Sequence, residues 1–115
     1  MYIKITDTIA DNASASHWVI GNQPVNIADL DLVNCKMSME NNGRVVSEGT
    51  GSDCMGSPIL SVLWLAQKMK ENGNPMQAGD LILSGALGPM SAAKAGDNFK
   101  MSIEGLGEVL LSFLE

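Results

Sequence analysis

The segment from Val33 to Glu48 constrains this chain more than any other. Val33, Cys35, Met37 and Met39 alternate with Asn34, Lys36 and Ser38. A period of two places one apolar set on one face of a strand and the polar set on the other. Asn41-Asn42-Gly43 follows, and Arg44-Val45-Val46-Ser47-Glu48 leads away. Asn and Gly supply the positive φ of a tight turn, so residues 33–48 predict an antiparallel hairpin with a three-residue loop or a bulge. Phe99, Met101 and Ile103 alternate in the same way. Glu104-Gly105-Leu106-Gly107-Glu108 reads as a turn, and Val109 to Phe113 returns as partner, giving a terminal hairpin over 97–113.

Between the hairpins, Ser57-Pro58 opens a helix. Ser caps free amides, and Pro at the first helical position has no amide to lose. Ile59, Val62, Leu63, Ala66 and Met69 fall on one face at helical spacing. Lys68 and Lys70 sit in the last turn and Gly73 ends it, so the helix spans 58–72. Residues 3–10, with Ile3, Ile5 and Ile9, read as a strand or the lead-in to a turn. Asp11 to Ser16 reads as a turn or short helical piece, and residues 21–31 as a loop. Leu81-Ile82-Leu83 predicts a short, fully apolar strand ending in Ser84-Gly85-Ala86-Leu87-Gly88-Pro89. The fold class is α+β: a mixed, mostly antiparallel sheet with one main helix.

The 115 residues make room for one domain, 1–115. Thirteen acids against seven bases give a net charge of −6, which excludes tracking a phosphate backbone and so excludes nucleic acid. No apolar run approaches the roughly 18 residues that span a bilayer, and MYIKITDTIAD lacks a signal-peptide pattern; the expected compartment is the cytoplasm. Cys35 and Cys54 fit no zinc or cluster spacing and read as buried free thiols. His17, the one histidine, reads as a surface or packing residue. Phosphate loops, dinucleotide fingerprints, nucleophile elbows and zinc-protease helices are all missing. Two polar segments remain for chemistry: 11–16, and 84–90 at the end of an apolar run. Small residues there let backbone amides approach a ligand and hold a carboxylate or enolate oxygen; the same pattern also describes two tight turns.

DTIADNASAS (7–16), SDCMGSPILSVLWLAQKM (52–69), AGDLILSGALGPM (78–90) and GDNFKMSIEGLGEVLLSF (96–113) together resemble the 2-keto-4-pentenoate hydratase and 4-oxalocrotonate decarboxylase group of the fumarylacetoacetate hydrolase superfamily. The resemblance runs from about residue 3 to 114, and SGALGPM favours the hydratase side. It implies that a magnesium or manganese ion chelates the carboxylate and 2-oxo group of a pyruvyl-like substrate and stabilises an enolate. It further implies hydration of 2-hydroxypenta-2,4-dienoate to 4-hydroxy-2-oxopentanoate, a step of aromatic catabolism, by oligomeric enzymes. Family members are about twice this length, and their carboxylate metal ligands and catalytic Lys lie in the half that would precede Met1. Asn12 stands where the hydrolase branch has a metal-binding Asp. Gly56-Ser57-Pro58 stands where Gly-His-Pro is usual, so any role of that His is lost. What carries over is a pocket wall: Ser14 as the catalytic polar group, with Asn12, Ser84, Gly85, Ala86 and Leu87 binding substrate. The expectation is a hydratase-like C-terminal half, inactive alone, with no cofactor of its own. Its partner would be a second copy or a separate N-terminal-half chain, and its ligand a small 2-oxo acid. Two other readings stay open: a freestanding module that binds a small molecule or a protein, and a remnant without selected chemistry.

Overall fold

The computed structural model describes residues 4–10 and 15–114. Its centre is a four-stranded antiparallel sheet of β1 (Lys36–Asn41), β2 (Arg44–Thr50), β3 (Asn98–Ile103) and β4 (Gly107–Ser112), in the order β2-β1-β3-β4. Both predicted hairpins are present, joined through β1 and β3. The first turn is tighter than the sequence suggests. Asn41 pairs with Arg44, leaving a two-residue loop in which Asn42 (φ 50°) and Gly43 (φ 77°) both take left-handed conformations. The extra residue lies further along: Met39 pairs with Ser47 and Glu40 with Val45, so Val46 bulges.

The register sorts the side chains as the alternation requires. Met37 lies beside Ile103, and Met39 beside Met101, which pairs onward with Val109. Phe99 faces Leu111 in the same register and meets Phe113 edge-on, with centroids 5.9 Å apart. The opposite face carries Lys36, Ser38, Glu48, Ser102 and Glu108. On that face Lys100 pairs with Glu108 at 2.6 Å.

Among the described residues two α-helices, α1 (Ile5–Ala10) and α2 (Pro58–Glu71), and two single 3₁₀ turns, Ile27–Asp29 and Gly51–Asp53, accompany the sheet. Residues 3–10 were expected as a strand or turn. Instead the Asp7 carboxylate accepts the Lys4 N–H at 2.9 Å, half of a capping box, and the chain turns into α1. In α2 the Ser57 hydroxyl accepts the Ile59 N–H at 3.2 Å with Pro58 next to it, as the sequence predicts. The buried face of α2 is rotated from the expected one. Pro58, Ser61, Val62, Leu65, Ala66 and Met69 turn inward to varying degrees, while Ile59 and Leu63 are exposed along with Leu60 and Trp64. Residues 81–83 also depart from expectation: no strand forms there, and all three side chains are exposed. A strand needs a neighbour for its ladder, and no described strand pairs with this run. Cys35 and Cys54 are buried free thiols, as read. The buried apolar set among the described residues is small: Cys35, Met37, Cys54 and Phe99.

Candidate functional site

The segment 84–89 crosses from α2 to β2 and is fastened at both ends. At its start the Ser84 carbonyl accepts the Cys54 thiol at 3.0 Å and the Ser61 hydroxyl. Cys54 follows a single 3₁₀ turn at Gly51–Asp53, and Ser61 lies in the first turn of α2, so both donors come from elements with their own local order. At its end the Pro89 carbonyl accepts the Ser47 hydroxyl at 2.7 Å, from β2. In between, the chain lies flat on β2. A Cβ added to Gly49 would sit 1.7 Å from the Leu87 carbonyl oxygen. One added to Gly88 would sit 2.6 Å from Met37 Cε and 2.7 Å from the Glu48 carbonyl oxygen. Glycine at both positions is the condition for this contact.

Fastening by carbonyls leaves the amides over. Gly85 stands at φ +126°, with its missing Cβ directed at Cys54 Sγ. The N–H groups of Gly85, Ala86 and Leu87 have no acceptor among the described residues. Gly85 and Ala86 are exposed. Successive free amides on a rigid loop suit an anion. Beside them lies a cavity of about 330 Å³, lined by Ser84 and Leu87 together with Ile27, Leu32, Ile59 and Val62. Two residues of the loop, Ser84 and Leu87, thus border an apolar recess, a combination that suits a small acid with a hydrocarbon tail. A larger groove of about 530 Å³ runs along the polar sheet face between Lys36 and Glu108, away from this loop.

Four of the six residues singled out from sequence, Ser84, Gly85, Ala86 and Leu87, thus form one continuous loop. Asn12 and Ser14 lie outside the described residues, as does most of the turn expected over 11–16. His17 is exposed and within hydrogen-bond distance of the Ser16 hydroxyl, 2.6 Å. Sequence reasoning missed Ser47, Ser61 and Gly49, which hold the loop in place. Only Gly49 carried a signal, since glycine inside a strand marks close backbone approach. A divalent metal does not fit here. No group of three His, Cys, Asp or Glu comes together among the described residues. The side chains hydrogen-bonded to the loop are a thiol and hydroxyls, weak ligands for a hard cation, and the nearby Asp53 carboxylate is taken up by Thr50.

The C-terminal family model of fumarylacetoacetate hydrolase matches residues 1–111. The chain belongs to the fumarylacetoacetate hydrolase family. Within that family it is 50% identical over 111 residues to 2-keto-4-pentenoate hydratase 1 of Dechloromonas aromatica, covering 96% of this chain and 42% of that protein. It is 47% identical over 113 residues to 2-hydroxyhexa-2,4-dienoate hydratase of Comamonas testosteroni, covering 98% and 43%. The fold matches 4-oxalocrotonate decarboxylase of Pseudomonas putida G7, solved with calcium and acetate, at a TM-score of 0.89 and 33% identity over 94% of this chain and 42% of that one. The chain therefore spans less than half the length of these relatives. Among its described residues, no helix is long and apolar enough to cross a membrane.

Proposed function

We propose that this chain supplies the C-terminal, substrate-facing part of a hydro-lyase acting on short 2-hydroxy-2,4-dienoates, and that it does not hydrate them alone. The observation that carries the reading is the fastened 84–89 loop with three successive amides that have no acceptor among the described residues. In the proposed role these amides hold the substrate carboxylate, and the apolar recess beside them takes the hydrocarbon end. Asn12 and Ser14 would face the same substrate, Ser14 as the polar group nearest the reacting atoms. The names of the hydratase relatives support the substrate class, and their greater length supports dependence on further residues. In this role the loop binds and orients the substrate.

A chimera tests this reading. Residues 1–111 replace the matching stretch of the Dechloromonas aromatica hydratase, and hydration of 2-hydroxypenta-2,4-dienoate is followed with added magnesium. The chimera is expected to hydrate and the isolated chain is not. Ala86→Pro in the chimera deletes one amide donor and is expected to raise KM about tenfold, the weight of a hydrogen bond to a charged group. Magnesium-dependent hydration by the isolated chain, or an unchanged KM in Ala86→Pro, overturns the reading. An inactive chimera that still binds pyruvate through the same loop favours a non-catalytic module.

A further inference from the structure

The peptide between Ser84 and Gly85 is held by its carbonyl. That oxygen accepts the Ser61 hydroxyl and the Cys54 thiol. No peptide bond among the described residues is cis, so the Gly85 N–H points opposite the Ser84 carbonyl, away from both donors. The hydroxyl of Ser61 is used in an unusual way. A serine inside a helix often turns its hydroxyl back to the carbonyl four residues earlier. Here that carbonyl, of Ser57, accepts the Ser61 backbone N–H at 3.1 Å, and the hydroxyl leaves the helix for Ser84. Cys54 is the weaker of the two donors, because a thiol hydrogen-bonds poorly. It also fills space: a Cβ on Gly85 would sit 2.8 Å from the Cys54 sulfur and 3.9 Å from the Ser61 oxygen. Gly85 takes φ +126°, a conformation open to glycine at little cost.

A glycine peptide with that freedom turns over unless something holds it. Turned over, it presents a carbonyl oxygen where the Gly85 amide stood, and an oxygen repels the carboxylate that an amide attracts. The loop has little else to offer an anion. Residues 45–67 and 71–93, which contain the loop, β2 beneath it and the first turns of α2, include no Lys, Arg or His. The direction of the amides therefore decides whether a carboxylate is held. We propose that Ser61 is a positioning residue of this site: through the Ser84 carbonyl, its hydroxyl sets the Gly85 amide toward the substrate carboxylate, with the Cys54 thiol as the second and weaker donor. The inference deepens the proposed function by naming what orients the loop, and rests on it for the ligand, a small 2-oxo acid.

Ser61→Ala in the hydratase chimera should raise KM for 2-hydroxypenta-2,4-dienoate about tenfold, the weight of one hydrogen bond to a charged group. It should change kcat less than about twofold, because the carboxylate is held alike in ground and transition states. Ser61→Thr keeps the hydroxyl and should restore KM to within about twofold of the parent. Ser47→Ala removes a hydroxyl from the other end of the loop, at the Pro89 carbonyl, and leaves the Ser84–Gly85 plane alone. It should raise KM less than Ser61→Ala does. A second readout uses the chain itself and needs no turnover. In proton–nitrogen correlation spectra the Gly85 amide should shift saturably as pyruvate is added, and Ser61→Ala should weaken that binding about tenfold. An unchanged KM in Ser61→Ala, a loss in kcat alone, equal effects of Ser61→Ala and Ser47→Ala, no rescue by Ser61→Thr, or a Gly85 amide indifferent to pyruvate overturns the inference. Where Ala86→Pro raises KM and Ser61→Ala does not, the loop still binds substrate and the positioning role alone falls; where neither raises it, both fall.

Discussion

Single atoms decide how the site loop is held. Gly49 is extended and carries no special backbone angle, yet a methyl group there would overlap the Leu87 carbonyl, backbone against backbone. Neither side can swing away as a side chain would. Gly73 is the useful contrast: its φ of +74° disfavours a side chain, but a Cβ there meets open space. Gly73→Ala should therefore cost about 1 kcal/mol, the conformational term alone. Gly49→Ala should cost about 3 kcal/mol, or else lift the 84–89 loop off β2. Urea midpoints of the two variants check this, and equal midpoints would show that the loop does not rest on Gly49. Cys54 and Ser61 act by attraction instead, both donating to the Ser84 carbonyl.

At the scale of elements, the join between the two hairpins depends on one carboxylate. Asp97, buried just before β3, accepts the Lys94 N–H at 3.0 Å and the Asn42 side-chain amide at 3.3 Å. Asn42 in turn accepts the Asn98 N–H, so the β1–β2 turn is laced to the start of β3. The Lys94 amide is the largest influence holding the Asp97 carboxyl below its ordinary value of 3.8, and Asn41, Lys94 and Asn42 act the same way against the effect of burial. A lowered folded-state pKa means that the unfolded chain binds the proton more readily. The contribution to stability is thus complete above the ordinary value and is lost as pH falls through the folded one. Asp97→Asn should lower stability at pH 6 and flatten its decline in acid, read from urea midpoints across about pH 5 to 2. A variant whose acid decline matches that of the parent chain would remove Asp97 from this role.

The whole molecule has an ordered sheet and too little to bury it. The radius of gyration is 15.7 Å, against about 13.4 Å for a compact domain of this length. With 9119 Å² exposed, the chain buries about half the surface of its unfolded state, where a compact chain of this mass buries about two-thirds. The denaturant slope follows the area released on unfolding. The isolated chain at low concentration should therefore unfold in urea with a slope about a quarter below that of a compact 115-residue domain. A slope equal to the compact value would mean that the apolar surface of α2 and 81–83 is already covered in solution.

What the sequence determined alone is what nearest neighbours along the chain can enforce. Alternation at 33–39 and 98–103 fixed which side chains share a face. Asn-Gly placed the first turn and Ser-Pro the start of α2, because those residues act on their own backbone. The motif SGALGPM marked the site loop as a unit and pointed to the family. Only tertiary structure decided the rest. The same apolar composition made 59–66 a helix with its bulky side facing water and left 81–83 without a ladder, because burial and pairing depend on a second surface that local sequence does not supply. Of the loop's fasteners, Ser47 and Ser61 are small residues of no distinctive pattern, and Gly49 is marked only by lying inside a strand. They acquired their role when the tertiary fold brought β2 beneath Leu87 and the first turn of α2 beside Ser84.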